Sequence, residues 1–219
     1  MIELSKVDFT YRQSGFRLQV DSLQAESNKA VALIGPSGCG KTTLMSLVAG
    51  ILPAQGGTFL INHTAINELT DKQRRLFRIQ NIGFVFQDFA LLEYLSLYDN
   101  ILHPYRINSA LTLDASVKKR AKDLAEKVGI AKRLNHYPGQ TSVGEQQRCA
   151  IARALLNEPV VILADEPTGN LDPNNKQAIL EILLQYVRDH EATLLVATHD
   201  YDLLASFDET IDFRALSEY

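Results

Sequence analysis

The chain has 219 residues, 46% of them hydrophobic, which is sufficient for one domain with a sizeable core. Its 22 basic and 26 acidic residues give a net charge of -4, so composition offers no broad electrostatic basis for binding nucleic acid, and we expect none. Neither an apolar run of about 18 residues nor a signal-peptide pattern is present, so we expect a cytoplasmic protein that does not itself cross a membrane.

The first predicted elements are half-buried strands. Residues 7–9 and 16–20 alternate apolar with polar side chains, and residues 58–61 form an apolar run after two consecutive glycines. Because such alternation is typical of strands with one covered face, we expect an N-terminal antiparallel β subdomain, with its third strand beginning after a Gly-Gly turn. Tyr11 follows the first alternating segment and is either a core aromatic or a platform on which an adenine ring stacks.

A glycine-rich loop follows the next strand. The apolar run 30–34 precedes Gly-Pro-Ser-Gly-Cys-Gly-Lys-Thr-Thr at residues 35–43, and a helical pattern begins immediately afterwards. Strand, loop and helix in this order predict a nucleotide-phosphate site, because glycines let backbone N–H groups approach an anion and a lysine adds positive charge. The residues predicted to contact the nucleotide here are Gly35, Ser37, Gly38, Cys39, Gly40, Lys41, Thr42 and Thr43.

Polar residues follow three further apolar runs. The runs are residues 83–86, 160–164 and 194–197, and their length and continuity predict parallel strands covered on both faces. Gln87 follows the first run, Asp165 and Glu166 the second, and His199 comes shortly after the third. Because ligands bind at the carboxyl ends of parallel strands, we expect these side chains to converge with the glycine-rich loop on one site.

The chemistry of phosphoryl transfer suggests a role for each of these residues. A buried carboxylate at Asp165 would hold Mg²⁺ through water, with Thr42 and Gln87 as further metal ligands. Glu166 is the candidate that orients a water for attack on the γ-phosphate, and Lys41 neutralises charge. His199 would contact the γ-phosphate and report whether it is present.

The middle of the chain is predicted to be helical. Apolar residues recur at helical spacing between Asp114, which can cap a helix, and Gly129, which can end one. We expect residues 88–157 to form a helical subdomain inserted into an α/β core made of residues 1–87 and 158–219. An amphipathic helix is predicted over residues 178–187.

These motifs together resemble the nucleotide-binding domain of an ABC transporter over nearly the whole chain. In chain order they are the aromatic Tyr11, the Walker A loop 35–43, the Q-loop Gln87, a signature segment 141–148, the Walker B pair Asp165 and Glu166, the D-loop 170–172 and the switch residue His199. The resemblance implies a P-loop NTPase (RecA-like) α/β core with an N-terminal antiparallel β subdomain and an inserted α-helical subdomain. Residues 87–92 and 165–172 are similar to the lipoprotein-release, macrolide-export and cell-division ATPases.

The signature segment departs from the family pattern. Thr-Ser-Val-Gly-Glu stands at residues 141–145, where the family usually has Leu-Ser-Gly-Gly-Gln. Ser142 and Glu145 also have the spacing of a capping box, which by itself explains both residues. Val143 either adopts an ordinary backbone conformation and leaves the segment active, which we expect, or holds the segment away from its ligand.

The resemblance also implies partners and cofactors. We expect a homodimer that binds ATP and Mg²⁺, in which Ser142, Gly144, Glu145 and Asp172 of one chain reach the ATP held by the other. Membrane permease subunits would dock near Gln87 and the segment Phe89–Arg106, with Leu91, Leu92, Tyr94 and Leu97 either contacting them or packing in the core. The expected function is ATP hydrolysis that drives export or extraction from the cytoplasmic face of the inner (plasma) membrane. The alternative is mechanotransmission, in which the ATPase controls a membrane protein without transporting a substrate.

Overall fold

Two five-stranded sheets organise the chain in the computed structural model, which describes residues 1–13, 15–169 and 171–218. The strands are β1 (Ile2–Thr10), β2 (Arg17–Ala25), β3 (Ala30–Ile34), β4 (Gly56–Ile61), β5 (Thr64–Ala65), β6 (Ile82–Val85), β7 (Val161–Asp165), β8 (Thr193–Thr198), β9 (Glu209–Asp212) and β10 (Ser217–Glu218). The α-helices are α1 (Lys41–Val48), α2 (Asp71–Asn81), α3 (Leu97–Ile107), α4 (Ala115–Lys127), α5 (Val143–Leu155), α6 (Pro173–His190) and α7 (Phe213–Leu216).

The first sheet is antiparallel, with strand order β10-β2-β1-β4-β5. The expected antiparallel β subdomain is therefore present, but the expected Gly-Gly turn is wrong. Gly56 and Gly57 lie inside β4, where the pairing with β1 shifts register between Ser5 and Asp8. Gly57 has a φ of 89°, and a Cβ there would lie 2.6 Å from the carbonyl oxygens of Ser5 and Lys6. The glycine is needed for this close approach of two strands at a bulge, and not for a turn.

The second sheet is parallel, with strand order β6-β7-β8-β3-β9. The three buried runs predicted as parallel strands are β6, β7 and β8, and β7 and β8 are buried along their whole length. The edge strand β9 was not predicted from the sequence, because its residues Glu209–Asp212 are mostly polar and only partly covered. The fold is thus the expected α/β architecture with a separate antiparallel sheet.

Both faces of the parallel sheet are covered by apolar clusters. Val161 and Leu163 of β7 pack in a cluster with α1 and the antiparallel sheet, whereas Ile162 and Ala164 pack in a cluster with α3, α4, α5 and α6. This division follows from the alternation of side chains along a strand. It explains why the strand sequence is continuously apolar, since neither face is left in contact with water.

Helix α4, which lies between β6 and β7, begins and ends at the predicted signals. Asp114 caps α4 by accepting a hydrogen bond of 3.0 Å from the N–H of Val117, and Gly129 follows the helix with a φ of 78°. The amphipathic helix expected over residues 178–187 is α6, which begins earlier and ends later. Among the described residues, none of the helices combines the length and the apolar character that crossing a membrane requires.

The glycine pair in β4 provides a matched test of the bulge. Gly57→Ala places a Cβ against two backbone oxygens that cannot move independently, so we expect the free energy of unfolding to fall by more than about 1 kcal/mol. Gly56→Ala is the control, because its Cβ would meet Asp8 Cβ at an ordinary 3.4 Å and its φ is not left-handed. Urea denaturation measures both, and equal losses for the two variants would contradict the assignment of the bulge to Gly57.

Candidate functional site

A pocket of about 520 Å³ lies at the carboxyl ends of β3, β6, β7 and β8. The parallel pairing produces it, because Ile34 of β3 is in register with Thr198 and Asp165 of β7 is in register with Ala197. The side chains that follow these strands therefore meet at one edge. The residues lining the pocket are Tyr11, Phe16, Ser37, Gly38, Gly40, Lys41, Thr42, Thr43, Gln87, Asp165, Glu166 and His199.

The glycine-rich loop ends at the N-terminus of α1, where Gly40 is the capping residue with a φ of 110°. A Cβ at Gly40 would lie 2.9 Å from Phe16 Cζ and 3.5 Å from Phe213 Cε1. Only glycine satisfies both the left-handed backbone and this contact. The sequence pattern around Phe16 predicts a strand residue and does not reveal its contact with the loop, because that contact joins residues far apart in the chain.

The side chain of Lys41 is buried against the loop that precedes it. Its Nζ donates hydrogen bonds of 2.7 Å to the carbonyl oxygen of Gly35 and 3.0 Å to that of Pro36. Neutral carbonyl groups hold the ammonium at the pocket wall without cancelling its charge. The charge therefore remains available to an anion that enters the pocket.

Gly35 and Cys39 lie behind the pocket lining. Cys39 is 6% exposed, belongs to the apolar cluster under the antiparallel sheet, and its Sγ lies 4.0 Å from Lys41 Nζ. A Cβ at Gly35 would lie 3.1 Å from that sulfur. Of the loop residues predicted to contact a nucleotide, these two can therefore do so through backbone atoms only.

Asp165 is the most buried carboxylate of the pocket, with 3% of its surface exposed. Burial raises its pKa, the nearby charge of Glu166 adds to the rise, and a hydrogen bond with Thr42 and the charge of Lys41 oppose it. An ionised carboxylate without a full set of partners is unfavourable in such a place. A bound cation would remove that penalty, so the arrangement fits a metal ion held by Asp165 and Thr42.

Glu166 and His199 form a close pair in the pocket lining. Glu166 Oε2 lies 2.9 Å from His199 Nδ1, but without the alignment of a hydrogen bond, and this oxygen is buried with no hydrogen-bond partner among the described residues. Glu166 also has a left-handed backbone, with a φ of 48°, which is unfavourable by about 1–2 kcal/mol for a residue with a side chain. A carboxylate held in this way can accept a hydrogen bond from a water molecule.

The segment after β6 connects the pocket to helix α5. Phe89 and Ala90 are both left-handed, with φ values of 61° and 47°, and the guanidinium of Arg153 donates to both of their carbonyl oxygens. Arg153 lies near the C-terminal end of α5 and was not among the predicted functional residues. Of the candidate docking contacts in the segment, Leu97 is fully buried in the core, whereas Tyr94 is 75% exposed.

The remaining predicted nucleotide contacts line a second pocket of about 330 Å³. Its lining residues are Ser142, Val143, Gly144, Glu145, Arg148, Leu171, Asp172 and Asn175. None of them lines the first pocket, and Asn170 of the predicted D-loop lies outside the described residues. The sequence-predicted site is therefore divided, within one chain, between two separate pockets.

The capping box predicted at the start of α5 is present. Ser142 Oγ accepts a hydrogen bond from the N–H of Glu145, and Glu145 Oε2 accepts one of 2.8 Å from the N–H of Ser142. Val143 occupies the first helical position, does not have a positive φ, and is 46% exposed. Its side chain is therefore accommodated without backbone strain. An ordinary backbone conformation at Val143 is the condition for the alternative in which the signature segment stays active.

Comparison with known proteins identifies the class to which this fold and site belong. Residues 18–169 match the family described as "ABC transporter", and the chain belongs to that family. It is the nucleotide-binding subunit of a transporter and an ATP hydrolase.

Particular relatives resemble it over most of its length. An uncharacterised ABC transporter ATP-binding protein of Mycobacterium tuberculosis is 40% identical over 98% of this chain and 87% of its own. The lipoprotein-releasing system ATP-binding protein LolD of Hydrogenovibrio crunogenus is 37% identical over 95% of this chain and 91% of its own. The macrolide export ATP-binding/permease protein MacB of Rhodopirellula baltica is 40% identical over 98% of this chain but only 32% of its own.

Solved structures of similar shape include two of the ABC transporter cassette MJ0796. The first is described as dimeric and has a TM-score of 0.87 at 31% identity, covering 97% of this chain and 95% of that one. The second is described as a post-hydrolysis state bound to ADP and Pi and has a TM-score of 0.87 at 29% identity, covering 100% of this chain and 98% of that one.

The conformation of Val143 generates a test of the signature segment. Because the side chain points into solvent from an ordinary helical backbone, we expect Val143→Gly to change the ATPase rate by less than about tenfold, equivalent to about 1.4 kcal/mol of barrier. Val143→Ala is the matched variant, since it removes the branch but keeps a Cβ. A larger rise in rate that is specific to the glycine variant would mean that Val143 holds the segment away from its ligand.

Proposed function

We propose that this chain dimerises around ATP and that closure of the dimer drives a conformational change in membrane permease subunits, for export of a substrate or its extraction from the membrane. The observation that supports this most directly is the division of the predicted nucleotide contacts between two pockets of one chain. A two-fold dimer would place the second pocket of each copy against the first pocket of the other. The description of the MJ0796 structure as dimeric supports the same arrangement.

The first pocket is proposed to hold the nucleotide. The N–H groups of the loop at the start of α1 would bind the phosphates, and Lys41 would exchange a loop carbonyl for a phosphate oxygen. Tyr11 is 37% exposed and packs edge-to-face on Phe9 with ring centroids 4.9 Å apart. This contact would orient the ring of Tyr11 for stacking against adenine, with Phe16 beside it.

The metal site is proposed to consist of Thr42, Gln87 and Asp165. Hydroxyl, amide and carboxylate oxygens are the ligands that Mg²⁺ prefers, and the raised pKa of Asp165 reflects burial that a cation would compensate. A bound Mg²⁺ would neutralise charge on the phosphates during transfer. Thr42 and Asp165 would orient the metal. Gln87 would couple the position of the segment after β6 to the metal site.

Glu166 is proposed as the residue that polarises the attacking water. Glu166 lines the pocket beside Asp165, so its carboxylate could accept a hydrogen bond from a water there and polarise that water for attack. His199, whose side chain is 64% exposed, would contact the γ-phosphate and hold the carboxylate in place through the 2.9 Å approach of Nδ1. Hydrolysis would then remove the group that joins the two copies.

The membrane partner is proposed to dock on the segment Phe89–Arg106, next to Gln87, so that the chain sits at the cytoplasmic face of the inner (plasma) membrane. The names of the relatives, a lipoprotein-releasing system protein and a macrolide exporter, support a role in export or extraction. Arg153 would transmit movement of α5 to this segment through its bonds to Phe89 and Ala90. Transport of a substrate by the reconstituted complex would separate this function from mechanotransmission.

Replacing the proposed catalytic carboxylate tests the hydrolytic role. Glu166→Gln keeps the shape of the side chain but removes its charge, so we expect turnover to fall by about 10²- to 10⁴-fold while ATP binding persists. The variant should accumulate as an ATP-bound dimer, measured by size-exclusion chromatography with light scattering. Glu209→Gln, the same exchange at an exposed position of β9, is the control. Hydrolysis at the wild-type rate in Glu166→Gln would refute the role of Glu166.

The exposed ring of Tyr94 tests the proposed docking segment. We expect Tyr94→Ala to keep the basal ATPase rate, because the ring contributes little to the core, and to lose most of the stimulation by the membrane subunits. Val160→Ala is the control, since Val160 is also partly exposed but precedes the amino end of β7, at the edge of the sheet away from the nucleotide pocket. Stimulation that is unchanged in Tyr94→Ala would place the docking surface elsewhere.

A further inference from the structure

The second pocket, named the signature pocket because it contains the start of the signature segment, has acidic residues in its lining although it is proposed to receive a phosphate. Two of its lining residues are carboxylates, Glu145 at the start of α5 and Asp172 at the start of α6. The family pattern has a neutral glutamine at the position of Glu145. An anion that enters this pocket is therefore opposed by more negative charge than the N-terminus of α5 alone would present.

The carboxylate of Glu145 is held in its ionised form. Its Oε2 accepts hydrogen bonds from both the N–H and the Oγ of Ser142, at 2.8 and 3.1 Å. The bond from the Ser142 backbone lowers the pKa of Glu145, and Arg133 lowers it further. The negative charge is thus permanent at neutral pH.

Arg133 lies on the other side of this carboxylate. Its Nε donates a 2.8 Å hydrogen bond to Glu145 Oε1, and the pair is only partly covered, with 47% of the arginine side chain and 25% of the glutamate side chain exposed. Arg133 is contributed by a short 3-10 turn, Ala131–Arg133, that follows α4, and is not part of the signature segment. A charge of opposite sign has therefore been placed against Glu145 from another element.

Arg148, the basic residue in the pocket lining, has hydrogen bonds to two neutral groups. Its guanidinium donates to the carbonyl oxygen of Val128 at 2.9 Å and to Asn175 Oδ1 at 3.2 Å, both neutral acceptors. Arg133 is thus the basic residue whose hydrogen bond is directed at Glu145.

We infer that Arg133 compensates the charge of Glu145, so that the signature pocket accepts the γ-phosphate of an ATP held by a second copy of this chain. The inference rests on the proposed ATP-bound dimer. Arg133 acts through Glu145 and is a positioning residue, because its hydrogen bond holds the carboxylate and its positive charge reduces the repulsion between that carboxylate and an incoming anion. Without Arg133, the same carboxylate would weaken closure of the dimer.

A double-substitution experiment separates this role from a structural one. In the Glu166→Gln background, which traps the ATP-bound dimer, we expect Arg133→Ala to weaken ATP-dependent dimerisation at least tenfold by analytical ultracentrifugation. When Glu145→Gln is added to the same background, position 145 has no charge to compensate. There, Arg133→Ala should weaken ATP-dependent dimerisation less than twofold. Arg133→Lys should keep most of the affinity, and the defect of Arg133→Ala should shrink as added salt screens the repulsion.

The control is Lys132→Ala, which removes the same charge from the adjacent exposed position and should change dimerisation less than twofold. Binding of a fluorescent ATP analogue by the monomer verifies that each variant is folded and that its own nucleotide pocket is intact.

Two results would overturn the inference in distinguishable ways. If Arg133→Ala weakens dimerisation equally with Glu145 and with Gln at position 145, or does not weaken it at all, Arg133 does not compensate charge. If the parent Glu166→Gln protein stays monomeric with ATP and Mg²⁺, the proposed dimer fails and the inference fails with it.

Discussion

The nucleotide site depends on the parallel pairing of β3, β8, β7 and β6. Because these strands run in the same direction, their carboxyl ends lie at one edge of the sheet. Ile34 is in register with Thr198 and Asp165 with Ala197, so the segments that follow the strands begin at the same height along the sheet. The apolar residues of β7 and β8 are buried on both faces, so the strands cannot slide without exposing them. The burial of the sheet therefore fixes the geometry of the polar residues beyond it.

Some residues at this edge have a strained backbone, and contacts from elsewhere in the fold hold several of them in place. Gly40, Glu166, Phe89 and Ala90 all have left-handed backbones, and three of them carry side chains that make this conformation unfavourable. Arg153 holds the carbonyl groups of Phe89 and Ala90, and Phe16 lies against Gly40. A helix that begins at the signature pocket thus stabilises the loop beside the nucleotide pocket, which links the two halves of the proposed dimer site within each chain.

Each of the two pockets combines basic and acidic side chains. The first pocket has Lys41 held by neutral carbonyl groups, together with the buried carboxylate of Asp165 that favours a cation. The second has the helix start at Ser142 and the carboxylates of Glu145 and Asp172, with Arg133 bonded to Glu145. ATP bound between two copies would meet the positive charge of Lys41 from one copy and the hydrogen-bond donors at the start of α5 from the other. Closure of the proposed dimer would therefore depend on how far Arg133 offsets the negative charge of the signature pocket.

The sequence by itself determined the family, the parallel core strands and the polar residues after them, because each of these is encoded locally, in short apolar runs, a glycine-rich loop and capping residues such as Asp114. Other features were decided only by the tertiary structure. Gly57 lies at a bulge and not in a turn because β1 approaches it closely, and Phe16 supports Gly40 across the loop. Arg153 and Arg133 look like ordinary helix and loop residues until folding brings them against Ala90 and Glu145, residues 63 and 12 positions away. Such contacts cannot be derived from local periodicity, because they join segments whose relative position is set by packing of the whole core.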